Sequence, residues 1–435
     1  MVEIKPFKGI TYNTKKFKEF DDIMSPPYDI ISKSMQEELY KKNPYNFVRL
    51  ILGKQYDNDT VDNNRYSRAK NDFDQWLSDE ILIDSKEPAI YPYQITYNLE
   101  GKEKTMKGFF TILKLDKEYK LVKAHEHTLS KPKADRLNLM RSCKSNLEPI
   151  QLLYMDKKDK ITKSLNSVKN ENPLIRVNGY DNFIHEIWKI TDESVISSVQ
   201  NQLKDEILFI ADGHHRYQTA INYADEVRKD IQDADENAPY NYRMVILVNM
   251  FDEGLAILPT HRLITVPLLK RKEVLDNIAK FFTITEHKID KSLKNEILVS
   301  TIKNQLKSEN EHKFALFFKD EYYILTLKDD AIMDKIASDR SKTWKTLDVS
   351  ILHKIIIEHI MGINQEILED HIKYTRDDIE AISFVKDGSF DCSFLMNATK
   401  IEELKIIADG GEHMPQKSTY FLPKMLSGLV MYKME

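Results

Sequence analysis

Cysteine is scarce in this sequence, with two residues, Cys143 and Cys392, among 435. Neither has a CxxC partner or a histidine at metal-ligand spacing, which argues against a disulfide framework and against structural zinc. Apolar runs are short, since the longest, such as MVILVNMF, fall well below the ~20 residues that cross a bilayer. The first residues, MVEIKPFKGITYN, carry frequent charges and lack the apolar centre of a signal peptide. These features predict a soluble cytoplasmic protein.

The sequence also has no excess of positive charge. Its net charge is -5 and its isoelectric point is about 6.2, so no global field attracts it to nucleic acid or to an anionic membrane. Any affinity for phosphate must therefore come from a local site. Hydrophobic residues make up 41% of the chain and charged residues 31%, which is typical of globular proteins.

Two regions are expected from the length and from a change of pattern near residue 266. Residues 1–266 form a predicted N-terminal α/β region that carries the HEHT and DGHHR motifs, and residues 267–435 form a predicted C-terminal α+β domain with the MPQKSTYF loop. Within the first region, alternating residues around Glu100-Gly101 predict a β-hairpin, and RYSRAKNDFDQWL predicts an amphipathic helix. Pro44 is expected to open a strand in NPYNFVRLIL.

The stretch ILFIADGHHRYQTAINYADE predicts a strand, a tight turn and a helix that begins near His214. Free N–H groups at a helix N-terminus bind anions, and Gly213 would let a ligand approach the backbone closely. Arg216 can donate to two phosphate oxygens, and His214 and His215 add further donors. Asp212 suits a cap, a magnesium ligand or an acceptor for a substrate amine or hydroxyl. A plain turn with packed histidines fits the same residues.

The segment KAHEHTLSKPKADRLNLMRS, residues 123–142, is the second polar stretch. Glu126 is the candidate general base, and His125 would bind phosphate or tune its pKa. The segment then supplies cations that could neutralise developing charge: Lys131, Lys133 and Arg136. The alternative is an ordinary exposed strand followed by a solvated charge run. In the functional interpretation, Glu126 and Arg216 serve one site.

Two further segments add donors for phosphate. LPTHRL, with Thr260, His261 and Arg262, is expected to be a turn after an apolar run, and MPQKSTYF brings Lys417, Ser418 and Thr419 together in a loop. The glycines that precede the lysine of a P-loop are missing, which excludes a conventional P-loop ATPase.

Six blocks together resemble a known family. PFKGI, SPPYDII, HEHTLSKPKADRL, ADGHHRYQTA, LPTHRL and GEHMPQKSTYFLPKMLSGLV occur in the order seen in the bacterial and archaeal family catalogued as domain of unknown function 1015. The resemblance covers nearly the whole chain and implies no particular reaction.

The region around ADGHHR is similar to the core of the ParB and sulfiredoxin-like superfamily, which includes ATP- or ADP-dependent kinases of free L-serine with the same Asp-Gly-His-His-Arg motif. This resemblance implies a mixed α+β chain with a ParB/sulfiredoxin-like α/β core, a β-rich N-terminal addition and an α/β C-terminal domain. Carried over, Asp212 to Arg216 would lie at the nucleotide phosphates, with Mg²⁺ and ATP or ADP as cofactors.

Four functions remain open at this point. The first is a phosphotransferase between a nucleotide and a small hydroxyl metabolite such as L-serine, in which Glu126, His125 and His215 are the candidate catalytic residues. The second is a phosphatase of a metabolite such as phosphoserine, and the third is a nucleotide-binding switch without catalysis. A metal-dependent hydrolase built from histidines is the fourth, although HEH does not have the HExxH spacing. The expected partners are a small substrate and a nucleotide, with no nucleic acid and no membrane; the oligomeric state stays open.

Overall fold

The structure is a computed structural model. It describes residues 1–125, 130–229, 231, 235–265, 270–290, 292–308, 310–364, 366–415 and 417–434, and of residues 130–132 it describes the backbone alone. The chain is a mixed α+β protein with several sheets. It divides into two compact units: unit 1 comprises residues 1–124, 128–256 and 423–435, and unit 2 comprises residues 125–127 and 257–422.

Unit 1 is built on a mixed sheet that contains nine strands within the described residues. Eight of them lie side by side in this order: Val122–Lys123, Leu208–Asp212, Ile150–Tyr154, Tyr242–Asn249, Lys102–Lys114, Tyr91–Leu99, Ile184–Ile187 and Ile175–Asn178. The ninth, Ile4–Lys5, pairs with Lys102–Lys114. Smaller pairings join Ile10–Tyr12 to Leu82–Asp84 and Ser145–Asn146 to Tyr432–Lys433. The last pairing explains why the C-terminal residues return to unit 1.

The helices of unit 1 include two that cover the sheet with apolar residues. Leu203 and Tyr217, from two different helices, join the buried core formed with Ile150 and Leu208. The helical segments are Tyr28–Ile30, Lys33–Lys42, Val48–Ile51, Arg65–Ser78, Ser130–Cys143, Lys160–Val168, Glu193–Leu203, His214–Lys229 and Pro239–Asn241.

Unit 2 has an antiparallel sheet, six-stranded in its described part, in the order Phe282–Lys288, Glu321–Leu327, Lys313–Phe317, Cys392–Met396, His261–Ile264 and Ile372–Thr375. Its other described strand, Tyr420–Leu422, comes late in the chain, and Ala256–Leu258 crosses the boundary between the units. The helices are Arg271–Ile278, Asn295–Leu306, Ile332–Ile336, Lys342–Lys345, Asp348–Ile351, the π-helix Leu352–Ile360, Leu368–His371, Asp378–Lys386 and Ile401–Asp409.

Several local predictions from the sequence can be compared with these elements. The hairpin is confirmed: Tyr91–Leu99 pairs with Lys102–Lys114, and Glu100 and Gly101 both have positive φ, as a two-residue hairpin turn requires. The strand expected after Pro44 is wrong, since the chain forms the helix Val48–Ile51. The Asn46 side chain explains this, because its oxygen accepts a hydrogen bond from Val48 N at 3.0 Å and caps the turn.

The unit boundaries differ from the predicted division at residue 266 in three respects. The chain leaves unit 1 after Ala256, residues 423–435 rejoin it, and His125, which was expected in the N-terminal region, belongs to unit 2. Among the described residues, none of the helices combines the length and the apolar composition that crossing a lipid bilayer requires.

Candidate functional site

The strand-turn-helix around Gly213 forms as the sequence predicts. The strand Leu208–Asp212, here called the site strand, ends at a glycine with φ of +97°, and the helix His214–Lys229, the site helix, starts at once. A Cβ on Gly213 would lie 3.1 Å from Arg216 Nε. Glycine therefore satisfies both the backbone conformation and the close approach of the arginine.

Asp212 is shared by two cations at this turn. Arg216 donates to one carboxylate oxygen and Lys424 to the other. Burial alone would raise the pKa of the Asp212 carboxyl, but the positive charges of Lys424 and Arg216 hold it well below its usual range. Arg216 also donates to the carbonyl of Pro149. The carboxylate therefore stays ionised and fixes both cations in place.

Glu148 supports the same cluster from the neighbouring chain segment. Its side chain is 4% exposed and accepts hydrogen bonds from Tyr28 N at 3.1 Å and from Ser427 Oγ at 3.0 Å. Arg243 donates to the backbone oxygen of Glu148 at 2.6 Å. Burial, with the nearby charge of Arg216, lowers the pKa of Arg243 to about 9, against the opposing effect of Glu148. The surroundings of Arg216 are thus rich in guanidinium groups.

A small cleft of about 20 Å³ lies beside this cluster. Asp212, Arg216 and Lys424 line it together with Gln151 and Ser427, and the remaining lining residues are Pro27, Pro149, Met425 and Leu426. Gln151 is 2% exposed, and neither its amide nitrogen nor its amide oxygen has a hydrogen-bond partner in the described part of the chain. A buried polar group without a partner costs roughly 1–3 kcal/mol. Gln151 therefore indicates that a polar ligand or water completes the cleft.

The chemistry of the cleft favours an anion. Two cations and one carboxylate leave a net positive charge, and the guanidinium of Arg216 has the geometry that suits phosphate or carboxylate. The donor set does not fit a protein-held magnesium ion, because both oxygens of Asp212 already accept from cations. Among the described residues there is no group of three His, Cys, Asp or Glu side chains placed to hold a metal.

The other predicted site residues of this region take different positions. His214 is buried and His215 is partly exposed, and both interact with neighbours. Arg136 is 6% exposed and stacks 4.0 Å from the Tyr28 ring centroid, while its nitrogens bond to Asp135 and to Ile51 O. These contacts hold Arg136 against other parts of unit 1, and Arg136 does not line the cleft. Lys133 is half-buried and is likewise absent from the lining. Glu126 and the side chain of Lys131 lie outside the described residues, so their predicted roles stay predictions.

The LPTHRL residues lie in unit 2, and the predicted turn is wrong for two of them. His261 and Arg262 belong to the strand His261–Ile264, where pairing with two neighbouring strands holds them extended. His261 Nε2 lies 2.7 Å from a carboxylate oxygen of Asp378. Arg262 is fully buried and donates to the backbone oxygens of Thr260 and Lys417. The three predicted residues Thr260, His261 and Arg262 therefore lie together at the first residues of the strand His261–Ile264 and just before it.

The MPQKSTYF loop meets His125 within unit 2. His125 Nε2 lies 3.0 Å from Thr419 Oγ1, and the backbone oxygen of His125 accepts from Met414 N at 2.8 Å. Ser418 donates to Pro415 O, and its own backbone oxygen accepts from Thr399 at 2.9 Å. Unit 2 thus gathers residues from three of the motifs that the sequence singled out.

Sequence reasoning missed four residues of the unit 1 cluster. They are Lys424, Gln151, Glu148 and Arg243. Lys424 stands in the quoted block FLPKMLSGLV, and Gln151 is the one polar residue among the apolar side chains of IQLLY. A polar residue inside a strand that is otherwise fully apolar was the signal available for Gln151.

Comparison with known proteins identifies the family. The profile described as "Protein of unknown function (DUF1015)" matches residues 4–350, and the chain belongs to this family. No curated protein gives a significant sequence match.

Solved structures with distant similarity include a mutant free serine kinase in complex with ADP, at 13% identity and a TM-score of 0.36, with 74% of this chain and 92% of that chain covered. A conserved hypothetical protein from Pyrococcus furiosus matches at 12% identity and a TM-score of 0.35, with 75% and 95% covered. SbnI with a C-terminal truncation, from Staphylococcus aureus, matches at 9% identity and a TM-score of 0.33, with 71% and 83% covered.

Proposed function

We propose that this protein is a phosphotransferase that moves a phosphoryl group between a nucleotide and the hydroxyl of a small metabolite such as L-serine. The observation that carries the proposal is the unit 1 cleft, where Arg216, Lys424 and the unpaired amide of Gln151 surround one small space. Phosphoryl transfer depends on positioning and on cations around the transferring group more than on covalent help from the protein.

Each part of the cleft has a role in this proposal. Arg216 and Lys424 neutralise phosphate oxygens, and Asp212 keeps the two cations fixed before the ligand arrives. The site helix turns its N-terminal N–H groups toward the end of the site strand, where anions are stabilised. The Gln151 amide offers one acceptor and one donor direction to a neutral hydroxyl or to a phosphate oxygen.

The sequence motif supports the choice of ATP or ADP. Asp-Gly-His-His-Arg, residues 212–216, is the motif that resembles free serine kinases. In the proposed step the substrate hydroxyl oxygen forms a bond to the terminal phosphorus, the bond from phosphorus to the leaving nucleotide oxygen breaks, and the hydroxyl proton passes to a base. Glu126 is the proposed base, assisted by His125 and His215. Magnesium, when present, would arrive with the nucleotide and neutralise its phosphate charge.

Calorimetric titration with ATP and ADP tests the ground-state part of this proposal. We expect Arg216→Lys to weaken nucleotide binding by about 10- to 100-fold, since a hydrogen bond to a charged group contributes roughly 1.5–3 kcal/mol and lysine cannot form the two-pronged contact. Arg176→Ala is the matched control, because Arg176 is exposed and pairs with Glu186 outside the cleft. Equal losses of nucleotide affinity in both variants would show that the nucleotide does not bind in the cleft.

Mass spectrometry of phosphorylated products tests the chemical step. Glu126→Gln should retain nucleotide affinity and lower turnover by ~10²- to 10⁴-fold, the usual contribution of a general base. Hydrolysis of phosphoserine without any nucleotide would favour the phosphatase function instead. Tight nucleotide binding with no product from a panel of hydroxyl acceptors would favour a switch without catalysis.

A further inference from the structure

A cleft in unit 2 has no part in the proposed reaction. It has a volume of about 160 Å³, and its lining residues all belong to unit 2. Three of them, His353, Lys354 and Glu358, come from the π-helix Leu352–Ile360. Segments of π-helix are rare and often occur at functional sites. We call this space the His353 cleft.

The imidazole of His353 is the feature that points to a ligand. Its residue is 9% exposed, and its Nε2 accepts a hydrogen bond from Arg262 Nε at 3.3 Å. Because a guanidinium group can only donate, this contact assigns the proton of the neutral ring to Nδ1. Burial, followed by the charges of Arg262 and Lys354, holds the pKa of His353 well below its usual value, so the ring is neutral at pH 7.

The Nδ1–H group of His353 has no acceptor in the part of the chain that the structure describes. Buried donors in folded proteins nearly always have a partner, either in the protein or in a bound molecule. Since Nε2 is engaged by Arg262 and the residue lines the cleft, the Nδ1 edge is the part of the ring that can meet a ligand there.

The charge next to His353 strengthens this indication. Arg262 is fully buried and donates to backbone oxygens, and no carboxylate pairs with it among the described residues. Buried charges are normally paired with an opposite charge. An anion that accepts from His353 Nδ1 would lie across the imidazole from Arg262, and the ring would connect the two charges through its two nitrogens. Such an anion would compensate the charge of Arg262 without touching it.

Arg340 supplies a second donor to the cleft. Its guanidinium lies 5.1 Å from the centroid of the Trp344 ring, and its ion pair with Asp339 spans 3.5 Å at the surface, where Asp339 is 77% exposed. An exposed pair of this kind is weak. Glu358 is the one acidic residue of the described lining, and it lies 2.6 Å from Lys354. The guanidinium of Arg340 is therefore available to an anion in the cleft.

The other walls of the cleft are mainly apolar. They include Ile363, Leu368, Met414 and Pro415 together with the ring of Trp344. A cavity of about 150 Å³ is large enough for a molecule the size of benzene. The His353 cleft therefore has room for one ring or for a short branched chain, and its walls favour a ligand with an apolar body.

We propose that the His353 cleft binds a small carboxylic acid with an apolar body, whose carboxylate accepts hydrogen bonds from His353 Nδ1 and from the Arg340 guanidinium. The planar guanidinium matches the geometry of a carboxylate. Inorganic phosphate would leave the apolar walls without contact and its further oxygens without donors. The site is independent of phosphoryl transfer and requires no nucleotide.

Nitrogen-15 magnetic resonance of the histidine rings in the full chain tests this proposal. The probes are benzoate, its neutral analogue benzyl alcohol, and inorganic phosphate. We expect His353 to carry its proton on Nδ1, and we expect benzoate to move that proton downfield to saturation because it gains a charged acceptor. His353→Gln assigns the signal. His185 is an internal control that should not respond, since its Nδ1 already lies 2.6 Å from the Tyr93 hydroxyl oxygen.

Calorimetric titration of two variants with benzoate tests the role of Arg340. Arg340→Met should weaken binding by at least about tenfold, because it removes the hydrogen bonds to the charged carboxylate. The matched control is Arg376→Met. Arg376 also stacks on an aromatic ring in unit 2, 4.3 Å from the centroid of Tyr420, but it is exposed and does not line the cleft. Its replacement should leave benzoate affinity unchanged.

Three results would overturn the proposal. The first is a His353 signal that does not respond at up to roughly 10 mM benzoate, a concentration that reveals even weak binding. The second is a response to benzyl alcohol or phosphate as strong as the response to benzoate. The third is an Arg340→Met variant that loses no more benzoate affinity than Arg376→Met.

Discussion

Two buried arginines, one in each unit, show two ways of holding a positive charge away from water. Arg216 in unit 1 faces the carboxylate of Asp212, whereas Arg262 in unit 2 donates to the backbone oxygens of Thr260 and Lys417. Burial tends to lower the pKa of both groups. Asp212 reverses this effect and raises the pKa of Arg216, while the pKa of Arg262 falls to about 10.

The difference teaches that the charge of the partner affects the pKa of a buried guanidinium more than burial does. Among the described residues no carboxylate pairs with Arg262. Its further neighbours are Met396 Sδ at 2.8 Å, His353 Nε2 at 3.3 Å and the ring of Tyr374 at 5.5 Å. Dipoles and a neutral ring solvate its charge only in part. Removing the charge of Asp212 from unit 1 should therefore lower the free energy of unfolding more than removing the charge of Arg262 from unit 2.

The largest effect is expected from Asp212→Asn. This change leaves Arg216 and Lys424 buried beside each other without their shared carboxylate, and we expect the free energy of unfolding of unit 1 to fall by about 3 kcal/mol. Hydrogen exchange of the core strand amides measures the loss.

The matched control is Asp225→Asn. Asp225 pairs with Lys117 at the surface and is 44% exposed, so its loss should change stability by no more than about 0.5 kcal/mol. If both substitutions had the same small effect, the ion pairs of Asp212 would be no more important than a surface pair.

Arg262→Met should have a smaller effect, in unit 2. Methionine fills much of the volume and removes the cost of a buried charge, but it leaves the oxygens of Thr260 and Lys417 without their donor. We expect a loss of about 2 kcal/mol, the order of the penalty for unsatisfied buried groups. Urea denaturation followed by hydrogen exchange of the strand His261–Ile264 provides the measurement. A loss larger than that of Asp212→Asn would invert the comparison.

The smallest effect is a pH dependence at His353 in the π-helix. Burial, followed by the charges of Arg262 and Lys354, holds the pKa of His353 well below its usual value. The unfolded chain therefore takes up a proton at a higher pH than the folded one. The free energy of unfolding is therefore not reduced by His353 above about pH 6.5. As the pH falls below that value, protonation of His353 in the unfolded chain lowers the free energy of unfolding by roughly 1.4 kcal/mol per pH unit.

Hydrogen exchange of Leu352–Ile360 at pH 7.5 and 5.5, corrected for intrinsic rates, measures this dependence. His353→Gln should make it flatter. His359→Gln, at an exposed position of the same helix, should not, and identical profiles for the two variants would exclude His353 as the cause.

Local chemistry in the sequence predicted local structure well. The positive φ at Gly101 and Gly213 follows from residue type. Ala69, Phe73 and Trp76 are buried at the spacing that the helix pattern indicates. Mixed α+β architecture and family membership were likewise recognisable. Ordered blocks made the family visible where periodicity alone could not.

Contacts between residues that are far apart in the sequence could not be predicted. Lys424 bonds to Asp212 across 212 positions, and no periodic pattern encodes such a pairing. The extended conformation at His261 and Arg262 comes from two partner strands, both more than a hundred residues further along the chain. Asn46 used its side chain to cap a turn where apolar neighbours suggested a strand.

The return of residues 423–435 to unit 1 has a consequence for biosynthesis. At ~5–20 residues per second on a ribosome, Lys424 is made roughly 10–40 s after Asp212. During that interval the nascent unit 1 carries Asp212 and Arg216 without their lysine, and the strand Ser145–Asn146 without its partner Tyr432–Lys433. Residues 257–422 of unit 2 are translated in the meantime. Synthesis in the cell thus sets an order of events in which the cleft lined by Asp212, Arg216 and Lys424 can be completed only after the whole of unit 2 has been translated.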